Sequence, residues 1–416
     1  MTIRCFCSGA LYELRSLTTH ICAIRLYIPQ ISKLEHNKLI FSKVPTLRFK
    51  SFEQEWEYST IGKCSISLEY GMNAAAVKYD GKHKYIRITD IDEETSAFIP
   101  NPLSSPDGEF EQRYLVKEND ILFARTGASV GKSYLYNSND GELYFAGFLI
   151  RARIKPEYNG PFIYYQTKSK KYDRWVKLTS MRSGQPGINS QEYSGYPIAI
   201  TGKVEQDKIA YFFQMLDNRI SVQNKIISKY ETLIKGLCDI LFTATEENVL
   251  PLKSIASIDK GQQINGLSLA KTGKYYYLNG GITPSGYVDD YNTSENTIAI
   301  SEGGNSCGFV SYNAQKFWSG GHCYTLKIKN TQCRSKFLFF YLKYREKDIM
   351  QLRVGSGLPN IQKKSLENFV VPLPTFEKQC YIECILESIT AKKEIETALL
   401  GQFQSQKKFL LSKMFI

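Results

Sequence analysis

The feature that most constrains this chain is an internal repeat of three landmarks. Asp120-Ile-Leu-Phe-Ala-Arg-Thr-Gly-Ala-Ser-Val-Gly131 returns as Thr297-Ile-Ala-Ile-Ser-Glu-Gly-Gly-Asn-Ser-Cys-Gly308, and Ser183-Gly-Gln-Pro-Gly-Ile188 returns as Ser356-Gly-Leu-Pro-Asn-Ile361. A helix start, Val204-Glu-Gln-Asp-Lys-Ile209, returns as Phe376-Glu-Lys-Gln-Cys-Tyr381. The order is kept, with offsets of about 177, 173 and 172 residues. The repeat predicts a globular domain plus a long helix, duplicated in tandem.

Length and charge agree with a duplicated, nucleic-acid-binding chain. At 416 residues the chain exceeds what one hydrophobic core usually serves, which predicts two or three domains. Its net charge is +12, and basic residues alternate with aromatics in segments 168–177 and 341–345. This pattern favours a folded surface for a polyanion over a disordered basic tail. The chain has no long uncharged apolar run and no basic amphipathic helix, so we predict nucleic acid rather than membrane as the partner.

Cysteine and histidine usage predicts neither a metal site nor disulfides. None of the ten cysteines forms a Cys-x-x-Cys pair, and only four histidines are present. We expect reduced thiols in a cytoplasmic protein, no cofactor and no metal. The first apolar patches are interrupted by charges, which argues against a secretory signal. Residues 1–43 have no counterpart in the second copy and are expected to be an extension of unknown role.

Local patterns in each half predict an α+β domain. Short β-rich runs at 85–91 and 275–282 end in turn-forming residues, and apolar runs at 297–300 and 309–312 flank a Gly-rich loop. Helical periodicity is found at 162–176 and 337–354. Each half is therefore expected to have one core of ordinary domain size.

The helix after the first domain carries a coiled-coil seam. Two series at spacing seven alternate by four and three, with Gln223 as the one polar position: Ile209, Leu216, Gln223, Tyr230 and Leu237; Phe213, Ile220, Ile227, Ile234 and Leu241. A looser stripe follows near the C-terminus: Ile382, Ile385, Leu386, Ile389, Ile395, Leu399, Leu400, Phe403, Leu410 and Met414. The alternative of a single surface helix would show a wider stripe. We therefore predict that the two helices pair with each other, forming a strut of about 57 Å.

Together these residues resemble the specificity subunit of type I restriction-modification systems, over nearly the whole chain from Val44. The resemblance depends on Val44-Pro-Thr-Leu-Arg-Phe-Lys-Ser-Phe-Glu-Gln-Glu-Trp56, the segment 120–132, Gly184-Gln-Pro-Gly-Ile-Asn189 and Glu205-Gln-Asp-Lys-Ile-Ala210. It implies two target recognition domains that read the halves of a bipartite DNA sequence and are held apart by two antiparallel helices. The second copy departs from the first with Glu302 in place of Arg125 and Cys380 in place of Lys208.

The resemblance implies a domain plan and a set of partners. We expect an extension at 1–43, recognition domains at 44–200 and 246–374, and spacer helices at 201–245 and 375–416. The implied partners are double-stranded DNA, modification subunits, two in number, and restriction or translocase subunits. The residues expected at the interface of helices and subunits are Ile209, Phe213, Leu216, Ile220, Ile227, Tyr230, Ile234, Leu237, Leu241, Ile382, Ile389, Leu399, Phe403 and Leu410.

Polar side chains on the Gly-flanked loops are the candidate DNA contacts, because glycine permits close approach of the backbone. The candidates are Arg87, Arg125, Thr126, Lys132, Arg182, Gln185, Asn189, Asn279, Asn305, Ser306, Arg353 and Asn360. The alternative, that Gly184, Gly304 and Gly357 only form turns, stays open for each of them.

No catalytic motif is complete in this sequence. Gly127-Ala-Ser-Val-Gly-Lys-Ser133 resembles a phosphate-binding loop but has three residues between its glycines instead of four, and its second copy has Phe309 in place of the lysine. The four histidines, His20, His36, His83 and His322, are scattered. We therefore expect a non-catalytic reader of DNA. The alternatives are a specificity protein of a fused, type II-like restriction-modification enzyme and, in another class, a P-loop nucleotide-binding enzyme.

Overall fold

The computed structural model describes residues 26–27, 43–108, 111–181, 184–243, 248–266, 269–355, 357 and 359–416. The chain divides into two compact units. Unit 1 comprises Met1–Ser221 with Gly401–Ile416, and unit 2 comprises Val222–Leu400. The predicted extension at 1–43 lies outside the described residues, apart from its last residue and a two-residue strand.

Unit 1 is an α+β fold in which the strands precede most of the helices. Its strands are β1 Leu26–Tyr27, β2 Arg48–Phe49, β3 Glu57–Thr60, β4 Ser65–Tyr70, β5 Ala76–Lys78, β6 Lys84–Ile86, β7 Ser104–Pro106, β8 Asp120–Ala124, β9 Ser133–Leu135, β10 Leu143–Phe145, β11 Leu149–Ile154 and β12 Pro197–Ile200. Its helices are α1 Ile61–Cys64, α2 Gly160–Gln166, α3 Lys170–Thr179, α4 Ser190–Ser194 and the first part of α5 Lys203–Thr243.

Unit 2 repeats the same plan. Its strands are β13 Val249–Pro251, β14 Ala256–Lys260, β15 Tyr275–Leu278, β16 Gly286–Val288, β17 Thr297–Ser301, β18 Val310–Asn313, β19 Trp318–Ser319, β20 Cys323–Ile328, β21 Arg353–Val354, β22 Asn360–Ile361 and β23 Val370–Pro372. Its helices are α6 Leu252–Ile255, α7 Ser335–Tyr344, α8 Glu346–Gln351, α9 Lys363–Glu367, and parts of α5 and of α10 Phe376–Met414.

Sheet topology confirms the duplication. The main sheet of unit 1 is antiparallel with strand order β4-β11-β8-β9, and that of unit 2 has the matching order β14-β20-β17-β18. A parallel pair, β6 with β10, has its counterpart in β15 with β19. The strand before each long helix pairs antiparallel with a strand from the early part of the same unit, β12 with β3 and β23 with β13.

Two predicted helices are each divided into two. The periodic segment 162–176 forms α2 and α3, because Ser169 ends the continuity and its hydroxyl caps α3 by accepting from the N–H of Tyr172. The segment 337–354 forms α7 and α8, which meet at Arg345, and its last two residues are a strand. The β-rich run at 85–91 ends as a strand at Ile86 and continues as a 3-10 turn.

The seam of α5 faces α10, as predicted. All ten seam positions of α5 are buried or half-buried. In unit 1, Asp217 pairs with Lys407 and Arg219 lies over the ring of Phe403. In unit 2, Gln223 donates to the main-chain oxygen of Glu396 at 3.0 Å. Along α5 from Asp217 to Gln223, the contacted residue of α10 moves backwards along the chain, from Lys407 to Glu396. The helices therefore pair as an antiparallel coiled coil.

The looser stripe of α10 contains one wrong assignment. Ile395 is 56% exposed, whereas Glu396 turns toward the seam and meets Gln223 through both its main chain and its carboxylate. A polar side chain in a seam is favoured when it finds a hydrogen-bond partner, and Gln223 provides one. Periodicity of apolar residues alone does not reveal such a polar pair.

A buried glutamine joins each long helix to its own domain. Gln206 accepts from the N–H of Asn159, at the start of α2, at 3.0 Å and donates to the main-chain oxygen of Thr201 at 2.6 Å. Gln379 accepts from the N–H of Arg334, at the start of α7, at 2.9 Å and donates to Pro374 at 2.9 Å. The two residues are 2% and 0% exposed.

This equivalence corrects the alignment of the repeat. Gln206 corresponds to Gln379, an offset of 173, which is one residue more than the match of the two helix starts suggested. Lys208 therefore corresponds to Tyr381 and not to Cys380. Many residue types are tolerated in one turn of a helix, so the sequence does not reveal that the alignment of the two helix starts is shifted by one residue. The hydrogen bonds of the two glutamines do reveal it.

Replacing Gln206 or Gln379 should lower the stability of the unit that contains it. Gln206→Ala leaves the Asn159 N–H and the Thr201 carbonyl without a partner, and each unsatisfied buried group costs about 1–3 kcal/mol. We expect a lower denaturation midpoint for Gln206→Ala and for Gln379→Ala, measured by circular dichroism in urea. Gln402→Ala, at an exposed position of α10, is the control. Midpoints equal to that of the control would show that the glutamines do not hold the helices to the domains.

Candidate nucleic-acid interface

In unit 1 the first two landmarks of the repeat lie against each other. Residues 125–132 follow β8, and residues 184–189 precede α4; we call them loop pair 1. The N–H of Arg125 donates to Phe148 at 3.0 Å, and its carbonyl accepts from Ile188 at 2.9 Å. The N–H of Gly127 donates to Pro186 at 3.0 Å. Sequence reasoning found both landmarks, but their contact is a product of the fold.

Unit 2 builds the same arrangement with the same main-chain hydrogen bonds. Loop pair 2 consists of residues 302–309 and 359–361. The N–H of Glu302 donates to His322 at 2.9 Å, and its carbonyl accepts from Ile361 at 2.8 Å. The N–H of Gly304 donates to Pro359 at 3.1 Å. Position 302 is therefore the structural counterpart of position 125.

The last glycine of each loop, Gly131 or Gly308, is required by the geometry of the turn. Gly131 and Gly308 have φ of 88° and 92°, where the chain reverses, and donate back to Ala124 and Ser301 at 3.0 Å and 2.8 Å. A Cβ at Gly131 would lie 2.5 Å from a methyl of Val176, and one at Gly308 would lie 2.8 Å from Met350. Positive φ and the packed helix beneath both exclude other residues.

Arg125 projects its side chain between two aromatic rings. Its guanidinium carbon lies 4.9 Å from the ring centroid of Tyr70 and 6.0 Å from that of Phe148. Its Nε is buried and has no hydrogen-bond partner among the described residues. The pKa of Tyr70 is lowered, first because its oxygen hydrogen-bonds to Ser190. Stacking on aromatic faces orients the guanidinium fork without neutralising it.

Four other predicted residues belong to loop pair 1: Thr126, Lys132, Gln185 and Asn189. Thr126 is half-buried and forms a β-bridge with Gly187, and Gln185 is exposed beside Gly127. Lys132 is mostly covered, and its Nζ lies 3.8 Å from the carboxylate of Glu93. The structure therefore brings Arg125, Thr126, Lys132 and Gln185 together.

Arg87 and Asn189 have internal side-chain partners. Arg87 forms a two-point hydrogen-bonded ion pair with Asp90, with distances of 2.9 and 2.8 Å, and this pair raises the pKa of Arg87. The side-chain oxygen of Asn189 caps α4 by accepting from Glu192 at 2.9 Å. Arg182 lies outside the described residues.

In unit 2 a charged cluster surrounds Glu302. Lys260 donates to its Oε1 at 2.6 Å, and the hydroxyl of Tyr324 lies 3.3 Å from the same atom. Its Oε2 is buried without a hydrogen-bond partner among the described residues, and Nδ1 of His322 lies 3.7 Å away. Asn279, a predicted contact, accepts from the N–H of His322 at 3.1 Å and so lies beside this cluster.

The other predicted residues of unit 2 are spread around loop pair 2. Asn305 is exposed and Ser306 half-buried within the loop, and Asn360 is exposed in β22, where it bridges to Gly303. Arg353 is exposed in β21 and donates to the carbonyl of Met350 at 2.6 Å.

Sequence reasoning missed the aromatic and charged neighbours of positions 125 and 302. Tyr70, Phe148 and Lys260 lie in no landmark of the repeat, and no local pattern marks them. Glu302 was visible as a departure from Arg125 in the alignment, and the change of charge at an otherwise matched position was the available signal.

The predicted interface residues of α5 mostly face inward. Ile209, Phe213 and Ile220 are buried in unit 1, whereas Leu216 is half-buried there. Ile227, Tyr230, Ile234, Leu237 and Leu241 are half-buried in unit 2. On α10, Ile382, Phe403 and Leu410 are buried, and Ile389 and Leu399 are half-buried. Some of these side chains also complete the domain cores: Ile209, Phe213 and Leu410 belong to the core of unit 1, and Ile382 belongs to that of unit 2. The apolar side chains that α5 exposes are others: Val204, Tyr211, Met215, Val222, Leu233 and Ile240.

The P-loop hypothesis is wrong. Gly127–Ser129 is a single 3-10 turn, and strand β9 begins at Ser133, where a phosphate-binding loop needs a helix. The described residues hold no cluster of three or more His, Cys, Asp and Glu side chains suited to a metal ion. Within the same ranges, no helix combines the length and the apolar character that crossing a bilayer would require.

Comparison with known proteins agrees with this architecture. The model of the type I restriction modification DNA specificity domain matches residues 54–232 and 246–403. The chain belongs to this family. A type I restriction enzyme specificity subunit of Methanocaldococcus jannaschii is 24% identical over 72% of this chain and 78% of its own length. A type I specificity subunit of Mycoplasma pneumoniae is 36% identical over 29% of this chain and 32% of its own length.

Solved structures support the fold. The crystal structure of a type I restriction-modification system S subunit from M. genitalium superposes with a TM-score of 0.67 at 20% identity, covering 90% of this chain and 99% of that one. Among curated relatives, the chain spans 32% of the M. pneumoniae protein and 45% of a type I specificity subunit of Mycoplasma genitalium.

Gly131→Ala should disturb loop pair 1 without unfolding the chain. A residue with Cβ at this φ costs about 1–3 kcal/mol, and the methyl collides with Val176. We expect weaker DNA binding through unit 1 and a modestly lower melting temperature in calorimetry. Gly184→Ala is the control, because a Cβ there meets nothing within 4 Å. Equal DNA affinity of Gly131→Ala and Gly184→Ala would show that the conformation of loop pair 1 does not contribute to DNA binding.

Proposed function

We propose that this specificity-domain protein is the DNA-reading subunit of a type I restriction-modification complex. It reads a two-part target with two recognition domains, placed at residues 44–200 and 246–374, and leaves methylation and cleavage to partner subunits in the cytoplasm. The observation that carries this proposal is the pair of matching loop pairs with the same main-chain hydrogen bonds. A duplicated scaffold with matched loops is suited to two related binding events on one ligand.

The two loop pairs differ in chemistry, which favours two different half-sites. Position 125 carries a guanidinium, and the matching position 302 carries a carboxylate. At the end of each loop, Lys132 corresponds to Phe309. Hydrogen bonds to base edges specify sequence, so opposite hydrogen-bonding character at matched positions predicts unlike targets.

Overall charge supports binding to the DNA backbone. A net charge of +12 favours phosphate contacts, which supply most of the sequence-independent affinity and make it depend on salt. The charge does not select among sequences. We therefore assign affinity to dispersed lysines and arginines and discrimination to the loop pairs.

We propose that modification subunits dock on the outward faces of the helices. In unit 1, Val204, Tyr211 and Met215 are exposed on α5 at spacings of seven and four residues, so they share one face. In unit 2, Leu233 and Ile240 are exposed at a spacing of seven. Exposed apolar side chains in a row favour a protein partner. We propose two modification subunits, one for each copy of the repeat, and restriction or translocase subunits joined to the same complex.

Exchanging one recognition domain should change one half of the target. If residues 44–200 are replaced by those of a relative with another specificity, we expect a new sequence in one half-site and the original sequence in the other. Sequencing of methylated sites in cells that carry the chimera and its partner genes measures this. The reciprocal exchange of residues 246–374 is the matched control and should alter the opposite half. A change in both halves from a single exchange would contradict independent reading.

Shortening both helices together should shorten the spacer between the half-sites. Removing 227–233 from α5 and 389–395 from α10 takes one heptad from each helix and keeps Gln223 and Glu396. Seven residues correspond to about 10 Å, roughly three base pairs at about 34–36 Å per DNA turn. We expect a target spacer shorter by about three base pairs, or no methylation because the domains no longer face the same side of the DNA.

The single deletions are the controls for this experiment. Removing the heptad from α5 alone leaves α10 one heptad too long, so we expect lower stability without a new, defined spacer. An unchanged spacer in an active double deletion would contradict the function of the helices as a spacer.

A further inference from the structure

Positions 125 and 302 occupy the same place in the two domains. Each residue follows the last residue of the matching strand, β8 or β17, and makes the same two main-chain hydrogen bonds, one to the loop before the next sheet strand and one from the second landmark. Their side chains therefore leave the backbone at equivalent points of the fold, with different neighbours: aromatic rings beside Arg125, and Lys260 and Tyr324 beside Glu302.

Arg125 forms no ion pair with any of the described residues, whereas five other arginines of unit 1 do. The five pairs are Arg48 with Glu205, Arg87 with Asp90, Arg113 with Glu111, Arg151 with Glu69 and Arg153 with Asp120. Within the described ranges, Arg125 has aromatic rings beside it instead, and its Nε lacks a hydrogen-bond partner. A guanidinium held by stacking but not neutralised keeps its fork for a ligand.

Glu302 presents the complementary chemistry. Its carboxylate can only accept hydrogen bonds. One of the two carboxylate oxygens is buried without a hydrogen-bond partner among the described residues. A carboxylate is repelled by phosphates, so it cannot serve as a backbone contact on DNA. The base atoms that can satisfy it are exocyclic amino groups, and cytosine N4 is the usual donor to Glu. Lys260, at 2.6 Å, offsets its charge beside the polyanion.

We propose that Arg125 and Glu302 each determine one base of the target, Arg125 by donating to O6 and N7 of a guanine and Glu302 by accepting from N4 of a cytosine. This assignment rests on the proposed function and names its reading residues. Two-point contact between Arg and guanine is the commonest specific contact in the major groove. The aromatic walls of Tyr70 and Phe148 position the fork of Arg125, and Lys260 and Tyr324 position the carboxylate of Glu302.

The test uses the full chain assembled with its modification subunits. Binding-site selection from random DNA is run for the wild type, Arg125→Gln and Glu302→Gln, each with melting temperature as a check of folding. Two matched variants make the same chemical changes elsewhere: Arg113→Gln at an exposed arginine of unit 1 and Glu295→Gln at an exposed glutamate of unit 2. Arg125→Lys retains charge and stacking but loses the fork, and it serves if Arg125→Gln fails to fold.

The expected result is loss of discrimination at a single base pair for each variant. A lost base contact lowers discrimination by about 5- to 150-fold, at a G·C pair in the half-site of unit 1 for Arg125→Gln and at a C·G pair in that of unit 2 for Glu302→Gln. The other half-site and the matched variants should stay unchanged. Arg125→Lys should lose discrimination while keeping its affinity for non-specific DNA.

Two other outcomes have distinct meanings. If the wild type selects no two-part sequence, the proposed function fails. If the wild type selects one but the variants select it equally well, weaken all sequences alike or change an A·T pair, this assignment of Arg125 and Glu302 is overturned and the proposed function stands.

Discussion

Helices of 41 and 39 residues remain helical in water only if their apolar stripes are covered, and here each covers the other. The seam of α5 repeats every 3.5 residues and faces α10 in both units. One polar position, Gln223, meets Glu396 within the seam. A single hydrogen-bonded polar pair in an apolar seam opposes sliding by a heptad, because any other register would bury Gln223 without a partner.

The helices transmit their geometry to the domains through buried hydrogen bonds. Gln206 and Gln379 each accept from a main-chain N–H at the start of a domain helix and donate to a carbonyl just before the long helix. In unit 1 an ion pair also joins the domain to its long helix: Arg48 forms a buried ion pair with Glu205 of α5 at 2.7 Å. Breaking such a pair at one side costs about 3–5 kcal/mol. Each domain is thus attached to its helix by groups that cannot reorient without loss.

Much of the architecture could be predicted from the sequence, because it depends on patterns that are local or repeated. The heptads of α5, the strands around the Gly-rich loops and the duplication all follow from apolar periodicity and turn residues. What could not be predicted depends on contacts between distant segments. The hydrogen bonds of Gln206 with Asn159 and of Gln223 with Glu396 are such contacts. The ion pair of Arg87 with Asp90 and the capping by Asn189 join residues only three positions apart, and there the sequence does not fix the direction in which the side chain points. Residues that surround Arg125 come from strands and loops far away in sequence.

The contrast between the two loop pairs explains how one scaffold can accept different chemistry. The bonds that hold residues 125 and 302 in place are made by main-chain N–H and C=O groups, which every residue except proline carries in full. The residues that cannot change are Gly131 and Gly308, where a positive φ and a packed helix exclude a Cβ. Each loop is held by its main-chain hydrogen bonds and by one such glycine, so the side chains between them are free to differ. Arginine and glutamate can therefore occupy the same site in two domains without a change of fold, and a difference in DNA sequence preference needs no difference in architecture.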